Sequence, residues 1–352
     1  METVSARPAI FDLDIGNDPD DTVVALLIAR APERFGPRLL LTNDETPALG
    51  RARFLAQIIG SVAGSEALCD LVAAGLPSPR RAATSVVERA GLVAPDGAPV
   101  RTDGIAALAA AVDACDQVDY YSLGGLTNLA ALLDRHPEFA ERIHLVQMGP
   151  MLVERGLPRR PQYNVRLDPA AFLRAVPAVG ARSFLLSQIS WARHGPGRRR
   201  SVGLYPDDPV AVALSQSPCA GHRLLHAQLD AWCRGDKPCS IQHDPLTVLS
   251  QHDAHLVRYE TLEVQFDASG LADLTPSSRQ RLVELDESRT GPLSGCLAAP
   301  EPIHAALQVA ARVSISADYM LARTALVAGL LGPDGAVGES DWAGFNRVRD
   351  SE

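Results

Sequence analysis

The chain has 352 residues, 46% of them hydrophobic and 21% charged, which is enough to bury a substantial core. A net charge of −9 argues against nucleic-acid binding as its main business, and no apolar run is long enough to cross a bilayer. Lys237 is the only lysine, and the six cysteines, irregularly spaced and without a C-x-x-C pair, read as reduced, buried thiols rather than a disulfide frame. The short polar start, Met1 to Pro8, does not read as a signal peptide, so a cytoplasmic location is expected.

Taken in chain order, the first half alternates. Ala9–Asp14 reads as a short buried strand, Asp21–Ala31 as a helix with Val23, Val24, Leu26, Leu27 and Ile28 on its apolar surface, and Arg38–Thr42 as a strand. Pro47–Ile59 is helical in pattern, and Ala67–Ala73 is strand-like. A Pro/Arg/Gly-rich loop follows from Gly75 to about Thr102. Next come a helix at Gly104–Ala114, a strand at Asp119–Leu123, a helix at Leu129–Asp134 and a strand at Arg142–Met148. After Gly149 the rhythm loosens. A basic, Pro-rich stretch spans Val153–Pro161, a helix Pro169–Val176 and a strand Ser183–Ile189. Trp191–Ser201 reads as a loop with four arginines; helices follow at Pro209–Ser215, Gly221–Trp232 and Pro245–Ser250, with late strands at Thr261–Phe266 and Ala311–Ile315. This alternation predicts an α/β fold, an open and mainly parallel sheet with helices on both faces. With no internal repeat or linker, residues 1–340 read as a single domain and 341–352 as a frayed tail.

The densest chemistry lies at the first strand end. Ile10-Phe11-Asp12-Leu13-Asp14-Ile15-Gly16-Asn17-Asp18-Pro19-Asp20-Asp21 places five aspartates in ten positions. Carboxylates packed this closely repel one another at neutral pH, so either a cation sits among them or some hold protons. A hard divalent ion with oxygen ligands, Ca²⁺ or Mg²⁺, meets that need. In open parallel sheets ligands bind beyond the carboxyl ends of strands, which is where Asp12 and Asp14 fall; Asp20 and Asp21 fall at a helix start, where the dipole favours anions.

Phe11-Asp12-Leu13-Asp14 resembles the D-x-D strand end of haloacid-dehalogenase phosphatases, with Asp12 as nucleophile. Those enzymes also need a downstream basic residue, for which only the late Lys237 is on offer, and the Asp20-Asp21 pair has no role in them. A fuller match is to the inosine–uridine-preferring nucleoside hydrolases. Asp12-Leu13-Asp14-Ile15-Gly16, followed by Asp20-Asp21 at a helix start, resembles the opening motif of that family with two extra residues before the pair. Ser122-Leu123-Gly124-Gly125-Leu126-Thr127-Asn128-Leu129-Ala130 resembles its L-G-P-L-T-N-L-A turn, and Gln242-His243-Asp244-Pro245-Leu246 its H-D-P-L helix start. Gln162-Tyr163-Asn164-Val165 with Asp168-Pro169 resembles its E-F-N segment, and Met148-Gly149 its M-G-G turn with Pro150 in the last place. Order and context agree from Ala9 to Phe266.

The resemblance implies hydrolysis of the N-glycosidic bond of a ribonucleoside or related ribosyl compound by a Ca²⁺-bound water. By that analogy Asp14, Asp21, the Thr127 carbonyl and Asp244 bind the metal, and Asp14 is also the general base. Asp20, Asn43 or Asp44, Gln162, Asn164 and Asp244 contact the sugar. His243 is the acid for the departing base, or else orients Asp244. Asp12, one pleat period before Asp14, supports it from behind. A homodimer or homotetramer is expected on the same ground. Departures also matter. Gln162 stands where the family has Glu, and Gly156-Leu157-Pro158 replaces its Gly-Asn segment, so a homologue that binds nucleosides without cleaving them is the alternative. Arginines near Gln162 (Arg155, Arg159, Arg160, Arg166) and after the Ser183–Ile189 strand (Arg193, Arg198, Arg199, Arg200) suit either a phosphate on the substrate or a solvated surface.

Overall fold

The computed structural model describes residues 7–80, 84–94, 100–155, 157–194, 198–235, 237–285, 292–297 and 303–332; the side chains of 192–201 and the expected tail 341–352 lie outside the description. Nine strands form one sheet. They are β1 (Ala9–Leu13), β2 (Pro37–Thr42), β3 (Val72–Ala73), β4 (Val118–Ser122), β5 (Ile143–Met148), β6 (Ala181–Leu185), β7 (Val257–Phe266), β8 (Ala272–Leu274) and β9 (Leu307–Ala317). Their order across the sheet is β8-β7-β9-β6-β5-β4-β1-β2-β3. All neighbours from β3 to β9 pair in parallel; β7 alone runs the other way, antiparallel to β9 on one side and to β8 on the other.

The main helices are α1 (Asp20–Arg30), α2 (Gly50–Gly60), α3 (Gly104–Asp113), α4 (Thr127–Arg135), α5 (Pro169–Ala178), α6 (Ala220–Cys233), α7 (His243–His252) and α8 (Tyr319–Leu331). From β1 the chain winds outward through β2 to β3, then returns to β4 on the other side of β1 and continues to β5 and β6. Right-handed crossovers in two directions place helices on opposite faces, and the reversal between β1 and β4 opens a crevice at their carboxyl ends. Every β1 residue is buried, Asp12 included, because the strand is central and covered on both sides. Phe11 stacks on Tyr121 of β4, with ring centroids 4.8 Å apart. α1 is buried from Asp20 to Ala29, and Thr22 on it hydrogen-bonds Gln228 of α6 at 2.6 Å.

Three segments differ from expectation. Only Val72 and Ala73 of the expected Ala67–Ala73 strand pair with β2; the residues before them form a 3-10 helix, Glu66–Leu71, whose Glu66 and Asp70 suit solvent better than a packed sheet face. Ser183–Ile189 divides into β6 and a helical turn, Ser187–Ser190, where the Ser187 amide turns to the Pro150 carbonyl. Trp191–His194 and Arg198–Ser201 pair as an antiparallel ribbon rather than a plain loop. At the amino-terminal edge of the sheet Asp119, His144 and Ser183 hydrogen-bond in series across β4, β5 and β6, each link 2.9 Å long. Ser183 has no exposed surface, so this row braces the strands and presents no nucleophile.

Replacing the buried, stacked Phe11 by alanine should cost about 3–5 kcal/mol of stability. Urea denaturation checks this; a loss below about 1 kcal/mol would show that the β1–β4 contact is not a main support of the fold.

Candidate metal centre and cleft

The crevice collects carboxylates from distant parts of the sequence. Asp14 follows β1, Asp21 lies in the first turn of α1 and Asp244 in the first turn of α7. One oxygen from each lies within 4.8 Å of the other two. Donors to a Ca²⁺ ion sit 2.3–2.6 Å from it, so two on the same ion are at most about 5 Å apart, and this spacing fits. Asp21 Oδ1 is buried without a hydrogen-bond partner, an open acceptor that a cation would satisfy. Two helices, α1 and α7, point their positive ends at the group. Asp20 joins them: its Oδ2 accepts from the Asp244 amide at 3.4 Å and its Oδ1 from the Asp21 amide at 3.1 Å.

Burial pushes Asp20, Asp21 and Asp244 well above the usual carboxylate range, and the negative charges of their neighbours push them further. Asp18, half-buried beside them and hydrogen-bonded by Ser240, is raised by desolvation to about 7. The nearby guanidinium of Arg51 does not neutralise the group. It is fully buried, pairs with Asp44 at 3.0 Å, and gives its other nitrogen to the carbonyls of Asp14 and Ile15, at 2.6 Å for Ile15. The pair grips the turn that carries Asp14. Asp44, held with φ at 51°, is raised to about 6 by burial against the pull of Arg51.

Asp12 lies beneath the cleft. Its Oδ2 accepts from the Tyr120 hydroxyl at 2.5 Å and from Asn43 at 3.2 Å, and its Oδ1 from Asn128 at 2.9 Å. It therefore ties β1 to β4, to the end of β2 and to α4 rather than bonding Asp14 directly. Burial raises it to about 7. Wholly buried and with both oxygens engaged, Asp12 is not an exposed nucleophile of the phosphatase kind. Asn43 also donates to the Gly125 carbonyl at 2.5 Å, so its amide nitrogen helps build the site. Gly124 lies so close that a Cβ on it would meet the Asp14 Cβ at 3.0 Å.

Thr127 opens α4, its hydroxyl 3.1 Å from Asp168 Oδ2, and Asp168 caps α5 through the Ala171 amide. Asn164 is buried and donates to the Leu123 carbonyl at 2.8 Å, which fixes the amide and turns its Oδ1 away from that bond. Gln162 caps its own short helix, Tyr163–Leu167; its Oε1 accepts from the Asn164 amide at 2.7 Å and from the Val165 amide at 3.4 Å. His243 Nδ1 is 2.5 Å from the Ser190 hydroxyl, and burial lowers its pKa to about 4. Of the arginines near Gln162, Arg166 lies over the Tyr163 ring at 5.5 Å, and Arg159 is close enough to Asp273 to favour its charged form.

No protein-family model and no curated protein matches the sequence. Among solved structures, the chain aligns with a plant nucleoside hydrolase, PpNRh1, at a TM-score of 0.68 and 19% identity, over 93% of this chain and 99% of that one. The chain has the nucleoside hydrolase fold. A purine-preferring ribonucleoside hydrolase from Gardnerella vaginalis aligns at 0.62 and 16% identity, over 92% and 98%. The type III effector XopQ, solved in complex with adenosine diphosphate ribose, aligns at 0.60 and 16% identity, over 93% and 94%. Within this nucleoside hydrolase fold, three of the four expected metal positions group through their side chains; the fourth, Thr127, was expected through its backbone carbonyl. Tyr120, Asn128, Arg51 and Ser190 were not anticipated as site builders. Asn128 stands inside the quoted turn motif and was legible there, whereas Arg51 carries no local signal.

Two outcomes follow from these charges. Arg51→Met strands a buried Asp44 carboxylate and should cost about 3–5 kcal/mol, with part regained on adding Asp44→Asn. Denaturation midpoints check this, and a negligible single-mutant loss would overturn it. Carboxylates whose folded pKa is raised stabilise the fold below their unfolded value of about 4 and lose that contribution as pH rises through the folded value. Asp12 and Asp18 lose it between about pH 4 and about 7, and Asp20, Asp21 and Asp244 lose theirs as pH rises above the usual carboxylate range. The metal-free protein should therefore melt at lower temperature at pH 8 than at pH 5, and Ca²⁺ should raise the melting temperature more at pH 8. A calcium shift independent of pH would contradict this assignment.

Proposed function

We propose that this protein is an N-ribosyl hydrolase of the nucleoside hydrolase family, cleaving a ribonucleoside or related ribosyl compound to free base and sugar with Ca²⁺ as cofactor. The observation that carries the reading is the meeting of Asp14, Asp21 and Asp244 at the carboxyl edge of a sheet with the nucleoside hydrolase fold. Those three side chains, with the Thr127 carbonyl, would hold the ion. When bound, Ca²⁺ supplies the positive charge that offsets the carboxylates and a template that orients water and vicinal ribose hydroxyls together.

The remaining work belongs to the chain. Glycosidic cleavage passes through an oxocarbenium-like sugar, so negative charge near the ring stabilises the transition state. Asp14 takes the proton of the attacking water, and Asp20 and Asp244 accept hydrogen bonds from ribose hydroxyls. Asn164, its Nδ2 spent on Leu123, offers Oδ1 to the sugar. With Gln162 engaged as a helix cap and Asn43 and Asp44 paired within the protein, contacts at the sugar fall mainly to Asp20, Asp244 and Asn164. His243 faces the departing base as a neutral ring that donates a hydrogen bond rather than a full proton. Assembly as a homo-oligomer belongs to the same reading.

A panel of purine and pyrimidine ribonucleosides with Ca²⁺, read by free base and reducing sugar, tests this. Asp14→Asn should lower kcat by about 10²–10⁴-fold. His243→Ala should slow natural nucleosides far more than a riboside with an activated leaving group. Nucleoside binding without base release across the panel would replace the hydrolase reading with that of a binding homologue.

A further inference from the structure

A cavity of about 430 Å³ lies between the short helix Val86–Arg89 and the carboxyl end of α6. Its size is within the range of small-molecule sites. Its lining side chains include Arg89, Arg234, Lys237 and Trp232, and no carboxylate lines it among the described residues. Lys237, the chain's single lysine, sits over the Trp232 ring at 5.7 Å. Trp232 is itself fixed by its Nε1 bond to the Cys239 carbonyl at 3.2 Å.

Capping of the helix end does not explain these cations. A helix end attracts positive charge because its last carbonyls lack partners. Here the Asp230 and Trp232 carbonyls already accept from the Arg234 and Gly235 amides, at 3.1 Å each. None of Arg89, Arg234 and Lys237 forms an ion pair within 4 Å among the described residues, and the Arg89 guanidinium spends one bond on the Thr84 carbonyl, at 2.8 Å.

Both walls of the cavity are fastened to the loop that carries the acidic cleft. From the short helix, the Val86 amide donates to Asn17 Oδ1 at 3.1 Å and the Val87 amide to the Gly16 carbonyl at 3.0 Å. From α6, Gln228 donates to the Asn17 and Asp18 carbonyls at 3.2 and 3.3 Å. Lys237 lies within electrostatic reach of Asp18, and Asp18 within that of Asp14. The basic cavity and the acidic cleft are thus neighbours joined by residues 16–18.

We propose that this cavity is an anion subsite that binds the phosphates of a nucleotide whose ribose occupies the acidic cleft, so that the substrate class is a phosphorylated ribosyl compound rather than a bare nucleoside. The identity of the sugar portion rests on the hydrolase reading; the phosphate site does not. Three cationic heads around one opening match a diphosphate in charge, and Trp232 gives the opening a rigid wall. None of the arginines near Gln162 lines this cavity.

Calorimetric titration of the full chain tests this with adenosine and ADP in excess Ca²⁺, and with inorganic pyrophosphate in metal-free buffer. ADP should bind at least tenfold tighter than adenosine, and pyrophosphate should bind alone with an affinity that falls as salt rises. In Arg234→Glu/Lys237→Glu, and separately in Arg89→Glu on the opposite wall, the ADP-to-adenosine affinity ratio and the pyrophosphate affinity should both collapse. Thermal melts confirm that each variant is folded. Equal affinities for ADP and adenosine, or an ADP advantage that survives the charge reversals, overturns the proposal. Base release from adenosine with no phosphate preference leaves the hydrolase reading standing and removes only the subsite; a charge-dependent ADP preference with no base release from either ligand does the reverse.

Discussion

The mutual repulsion of buried carboxylates is the constraint around which this molecule is organised. Asp14, Asp20, Asp21 and Asp244 crowd one end of the crevice, with Asp18 close by. Burial alone would cost each ionised group dearly. Arg51 is wholly buried nearby but gives its charge to Asp44 and its hydrogen bonds to backbone carbonyls. The helix ends of α1 and α7 offset part of the repulsion, and the remainder is left for protons or a metal. A site that leaves its charge unbalanced is poised for a hard cation.

Asp12 bears a different burden. A wholly buried carboxylate in a central strand is tolerable because three donors from three elements meet it. The same bonds fix the spacing of the strand ends that form the crevice. Asp12 and Asp14 look alike in sequence, one within β1 and the other just past its end, yet one is a fastening and the other faces the cleft. Only the donors brought by β4, α4 and the end of β2 separate the two roles.

That contrast marks what the sequence could and could not disclose. Strands β1, β2, β4 and β5 were readable because short apolar runs between turn residues leave few alternatives. The meeting of Asp14, Asp21 and Asp244 was readable because each sits in a motif of several residues. Arg51 was not, since its partners depend on how the turn after β1 folds over α2. The pairing of Trp191–His194 with Arg198–Ser201 was missed because arginines mask the alternation that marks a strand. α8 went unnoticed behind a weakly amphipathic pattern, although Asp318 caps it through the Met320 and Leu321 amides. Gln162 is the most instructive departure. Read as a missing acid, it suggested a homologue that binds nucleosides without cleaving them; in place it is an N-cap that holds the Asn164 backbone, a duty a neutral amide oxygen performs well.

The route by which the crevice is assembled constrains how the protein must be made. Asp20 and the amide of Asp244 that meets it are 224 positions apart. During synthesis the amino-terminal strands and α1 emerge long before α7 does, so the nascent chain carries Asp14, Asp20 and Asp21 without the Asp244 that joins them in the folded protein. The three-carboxylate group is thus complete only once α7 docks.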